Sequence, residues 1–147
     1  MRKRVNWKKF TDNDYAISLV GAWEMFKQFH DDPYGENAVN SWLRRITDDA
    51  GKRDSLITEE AKKGIEKTAG HHLLQVGDLF RKWYEMLNEE QDFTYEIAKE
   101  WIIGSKNLIC TISEHKLIHN IDDQIKASPD NVFEILRNYD IIVNIHK

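Results

Sequence analysis

Along most of the chain, apolar residues recur at intervals of three and four, the period of an α-helix with one buried face. The longest such run is 65–87, where Ile65, Ala69, Leu73, Val76, Phe80, Trp83, Tyr84 and Leu87 form one stripe and His71, Gln75, Asp78, Lys82 and Glu85 lie opposite. A stripe this one-sided has to be buried against other helices, with Phe80 and Trp83 as its expected anchors. Gly64, Gly70 and Gly77 each disfavour helix by about 1 kcal/mol relative to Ala. The run is therefore expected to divide near Gly70, into a helix of 58–69 and a stronger one of 71–88.

Upstream, Thr11 and Asp14 have capping-box spacing and open a helix to about Phe29, with Tyr15, Leu19, Trp23 and Phe26 as its seam. Asp32 before Pro33 starts a second helix, 35–50, with Val39, Trp42, Leu43 and Ile46 on one face. Gly51 stops it, and residues 52–55 read as a charged loop. Downstream, a helix is predicted over 93–109. Thr111 and Glu114 then give a T-x-x-E restart for a separate helix over 112–127. Ser128, Pro129 and Asp130 open a last helix through Val132, Leu136, Tyr139 and Val143. Ile141, Ile142, Val143 and Ile145 are also a β-branched run, but with no partner strand evident helix is preferred there. The expected fold class is all-α: a single-domain bundle of about five to seven helices, with a short C-terminal strand as the alternative over 139–146. Residues 1–10 form a basic arm, and 11–147 the helical domain.

Composition adds little to that picture and excludes some of its alternatives. Of 147 residues, 41% are hydrophobic and 31% charged, with two prolines, a globular composition large enough for one core without a staple. Cys110 is the single cysteine, which rules out an intrachain disulfide and, in its apolar run, reads as a small core residue. The N-terminal basic stretch is followed by Asp12, Asp14 and Glu24, which is unlike a signal peptide, and no apolar segment is long enough for a membrane span. A cytoplasmic protein is expected.

Charge is unevenly placed. Residues 1–10 carry five cations and no acid, leaving −9 on the rest of a chain whose total is −4. Arg2, Arg4, Lys8 and Lys9, with Trp7 among them, are the candidate partner-binding residues: cations interleaved with an aromatic ring suit an anionic macromolecule. The acidic body suits a basic protein partner.

Candidate chemistry rests on histidine. His115, His119 and Asp122 stand at i, i+4 and i+7, so on one continuous helix two imidazoles and a carboxylate project together and suit a divalent metal ion. If the helix restarts at Thr111, its seam is Leu117, Ile118, Ile121 and Ile125, and these three residues face solvent instead. A remote ligand would come from His71 or His72, or from the acid group around His30, Asp31 and Asp32; His71 and His72, adjacent on a helix, would point about 100° apart, so both would not face one ion. The His30–Asp31 pair lacks the upstream histidine of HD-type phosphohydrolases. Arg137 and His146 are too far apart for the motif of HEPN-type ribonucleases, and Arg44 and Arg45 are followed by Asp48 and Asp49, which weakens a DNA-reading helix. Four-helix metal proteins of the DinB-like kind share the chain's size and a late H-x-x-x-H, an analogy onto which no residue is carried.

Three functions follow. The leading expectation is a non-enzymatic helical protein of regulatory, inhibitor or immunity type that binds a protein partner and needs no cofactor. The alternatives are a metal-dependent helical-bundle hydrolase using His115 and His119, and a nucleic-acid binder acting through the arm. A homodimer through the last helix is a further expectation.

Overall fold

A computed structural model of the protein describes residues 10–146. Helices α1 (Asp12–Phe29) and α2 (Pro33–Gly51) form an antiparallel hairpin, followed by strand β1 (Ser55–Thr58) and the short helix α3 (Glu59–Lys62). Strand β2 (Thr68–His72), α4 (Val76–Asn88), α5 (Tyr95–Gly104) and β3 (Asn107–Thr111) come next. Helices α6 (Ile112–Asn120), α7 (Asp122–Ala127) and α8 (Val132–Asn138) and strand β4 (Val143–His146) complete the chain. The strands form one sheet in the order β2-β3-β1-β4, with β1 and β3 parallel and the two outer strands antiparallel to their neighbours.

The expected all-α bundle is thus corrected to a helical layer on a four-stranded mixed sheet. Three segments read as helix or loop are strand. The 58–69 helix shrinks to α3, and the chain re-extends as β2, so Ile65 is 87% exposed and contributes nothing to the seam. The tail of the 93–109 helix is β3, and the charged loop of 52–55 ends in β1. At the C-terminus the short strand is the one that forms, because β1 supplies the partner that the sequence pattern hides: Leu56 faces Ile145 and Thr58 faces Val143.

Where the helical period holds, the local signals were sufficient. Thr11 and Asp14 make both bonds of the capping box, and Asp32 caps α2 through the Tyr34 amide. Trp83 is fully buried and Phe80 partly so. Trp23, Phe26, Trp83, Phe93 and Trp101 pack at 4.7–6.2 Å between ring centroids, in stacked, tilted and T-shaped pairs. Among the described residues the indole N–H groups of Trp23, Trp83 and Trp101 have no acceptor, so this cluster is held by apolar burial and ring packing.

Lys106, fully buried, joins three pieces of the fold. Its Nζ donates to the carbonyls of Ala50 (3.3 Å) and Arg53 (2.7 Å) and pairs with the Asp12 carboxylate at 3.1 Å. A buried ammonium is tolerated only with such a full set of acceptors. Here it fixes the start of α1 and the end of α2 against the α5–β3 turn.

Candidate functional site

The site is built by β2, β3 and α6. Thr111 is both the last residue of β3 and the N-cap of α6, so the chain passes from strand to helix without a loop and α6 lies back across β2 and β3. The T-x-x-E signal is realised: Thr111 Oγ1 accepts from the Glu114 amide, and Glu114 Oε1 accepts from the Thr111 amide at 3.0 Å. Glu114 Oε1 also accepts from Thr58 Oγ1 at 2.6 Å, tying the helix start to β1. From the other side, Glu66 Oε1 accepts from the amide (2.9 Å) and hydroxyl (2.7 Å) of Ser113. These bonds hold the Glu66 carboxyl below its ordinary range. Fastened in this way, the first turn of α6 presents His115 to β2.

Across from it stands His71. The two Nδ1 atoms are 3.1 Å apart, the rings are T-shaped with centroids 5.0 Å apart, and the residues are separated by 44 positions in sequence. One Nδ1–H donates to the lone pair of the other, so the two rings cannot both carry a proton there. Burial, then the neighbouring His115, lowers the His71 pKa from its ordinary value; Asp122 opposes this, and His119 and His72 add to it more weakly. The shift favours the neutral imidazole of His71, and an ion bound by both Nδ1 atoms would displace the proton they share. His119, exposed, lies one turn further along α6.

Two ligand nitrogens, each about 2.0–2.1 Å from one tetrahedral ion, lie about 3.3 Å apart. The His71–His115 spacing is within a few tenths of an ångström of that value. Among the described residues, however, no three His, Cys, Asp or Glu side chains stand close enough to surround an ion as they are. The donors that stand together are the pair His71 and His115, with His119 one turn further along α6.

The predicted continuous face is corrected in one respect. The helix breaks at Ile121, so Asp122 starts α7, and its carboxylate pairs with Lys126 at 2.9 Å. His115 and His119 share α6; Asp122 does not. The restart at Thr111 is real, but it does not leave His115 in solvent, because β2 covers that side. Sequence reasoning offered His71 only as one of several possible remote ligands, with His72 and the His30–Asp31–Asp32 group, because it read β2 as helix. In a strand, neighbours point to opposite faces, so His71 turns to α6 while His72 turns away from it. His72, opposite Asn107 in the ladder, lines a cleft of about 390 Å³ beside the end of α2.

Cys110 is buried, its thiol 3.5 Å from the Ala69 carbonyl and pushed up to about 11 mainly by burial, which suits a core residue and not a nucleophile. Arg2, Arg4, Trp7, Lys8 and Lys9 lie outside the described residues. No helix among the described residues is long and apolar enough to cross a membrane. Comparison of the chain with family models, curated proteins and solved structures gives no match.

Proposed function

We propose that the protein is a divalent-metal-dependent hydrolase of nucleic acid phosphodiesters, with His71, His115 and His119 as the metal ligands. The observation that carries this reading is the 3.1 Å approach of His71 and His115 from a strand and a helix far apart in sequence. Such a pair costs partial burial of two polar rings, and ligation of a metal gives the pairing a use. A bound ion would supply a Lewis acid and an activated water at neutral pH. Three neutral imidazoles leave the ion its full charge, which suits an anionic substrate, and the five cations of residues 1–10 suit a polyanionic one.

The test is cleavage of plasmid DNA and of RNA by tag-free protein with magnesium, manganese, nickel or zinc. Cleavage abolished by chelation, by His115→Ala and by His71→Ala is expected. Metal-loaded wild-type protein that cuts neither polymer with any of these ions would refute the reading.

Protein binding is a second reading, favoured by a different surface. On the outer side of the α1–α2 hairpin, Ile17, Met25 and Phe29 are exposed at spacings of eight and four residues, beside Tyr34 (88% exposed) and Trp42. An apolar stripe of this kind suits a macromolecular partner. Its test is affinity capture with wild type and an Ile17→Asp/Trp42→Asp variant: a partner retained by both variants alike does not use this face.

A further inference from the structure

We infer that β4, at the opposite edge of the sheet from His71, is a docking strand for an extended basic segment of a partner protein, which adds alongside it and sets lysine or arginine side chains against α5 and α8. The sheet order β2-β3-β1-β4 leaves β4 paired on one side, by β1. The Ile142 carbonyl accepts from the Glu59 amide at 2.9 Å, so Ile142, Asn144 and His146 turn their backbone groups to β1. The N–H and C=O groups of Val143 and Ile145 therefore point outward, and nothing among the described residues bonds them. Edges left open in this way are usually shielded by lysine, proline or a bulge within the strand. β4, Val143 to His146, contains neither residue, its register with β1 is unbroken, and Ile145 is 45% exposed. So short a strand offers a weak ladder, and the flanking surface has to supply the rest of the affinity.

That surface is apolar next to the strand and acidic beyond it. Leu56 pairs with Ile145 and is buried, so Val143 and Ile145 share the face of the sheet turned to the helical layer. There they line a hollow of about 120 Å³ together with Leu56, Ile103, Phe133 and Glu100. It has room for about one branched apolar side chain. An adjoining depression of about 270 Å³ shares Glu100 and Phe133 with the hollow and is also lined by Asp130, Glu134 and Arg137. Three carboxylates stand there against one guanidinium, and none of the four makes an ion pair among the described residues. Alternate residues of a strand face the same way. A segment with an apolar and a cationic residue two apart therefore fills the hollow with one and neutralises the acids with the other. A second copy of this chain fits less well, because β2 and β4, the edges it could offer, contain no lysine or arginine.

The experiment is fluorescence anisotropy with a labelled peptide of alternating valine and lysine, about six residues long to match a strand, and with a counterpart in which glutamate replaces lysine. Wild type is expected to bind the lysine peptide and not the glutamate one. Ile145→Pro deletes one outward N–H, leaves the β1 ladder its donors, and should weaken binding several-fold. Glu100→Gln/Glu134→Gln should weaken it about tenfold and remove most of its dependence on salt. Arg137→Gln should strengthen it. Glu134 and Arg137 are exposed, so these changes leave the fold intact, and circular dichroism of each variant checks it. Equal binding of the two peptides, binding of neither, or affinities in all three variants that match wild type would overturn the proposal. So would wild type that sediments as a dimer which Ile145→Pro dissociates, because a second copy would then occupy the edge.

Discussion

The helical layer and the β2–β3–α6 unit are stabilised in contrasting ways. The layer is held by three buried tryptophans and two phenylalanines whose indole N–H groups forgo acceptors. The β2 strand and the face of α6 above it are polar, half-exposed and held in register by named hydrogen bonds from Thr58, Glu66, Thr111 and Glu114. One region spends its residues on burial; the other positions imidazoles. The contrast predicts that substitutions in the first cost stability without touching metal affinity, and that substitutions at the ligands do the reverse.

The largest effect is expected in the aromatic core. Trp83→Ala should lose about 3–5 kcal/mol, read from denaturant midpoints, because it empties a site at the centre of five rings. Glu114→Ala should cost about 2 kcal/mol, as it removes a cap partner and strands the buried Thr58 hydroxyl. It should also weaken metal binding, being the one change that crosses the divide, since it loosens the turn carrying His115. His115→Ala should change the metal-free stability by less than about 1 kcal/mol. It should nevertheless abolish the stabilisation by zinc that the proposed site predicts for wild type, about 2.7 kcal/mol at a hundredfold excess over Kd. Differential scanning calorimetry with and without zinc reads both quantities.

The smallest effect is that of pH. His71 is lowered in the folded protein from its ordinary 6.5 by burial and by His115. The unfolded chain therefore takes up a proton first as pH falls, so His71 contributes no penalty above that value and an increasing one below it. Denaturation midpoints should fall from about pH 7.5 to 5.5 by less in His71→Asn than in wild type. An equal fall in both would place the titration elsewhere.

Half of this contrast was legible in the sequence. α1 and α2 carry helical period and caps, α4 a strong period without a side-chain cap, and the Thr111–Glu114 box located the start of α6 to the residue. The sheet was hidden because its strands are four or five residues long and their partners are remote. Leu73 and Val76, core residues at the β2–α4 junction, continue the helical spacing of α4 backwards into β2 and so disguise it. The run Asn107 to Thr111, between Gly104 and the capping box, was the available sign of a strand. His115 and His119 were legible as a pair. Their partner His71 was legible only as one of several possible remote ligands, because which way a histidine faces depends on whether its segment has a period of 3.6 or of 2.

The central claim is that β2 and α6 share a metal ion, and metal analysis of tag-free protein after equilibration with zinc and gel filtration tests it most directly. About one equivalent in wild type, none in His71→Ala or His115→Ala, and an unchanged circular dichroism spectrum in both variants are predicted. Folded wild-type protein that retains no zinc, or variants that retain as much as wild type, would contradict it.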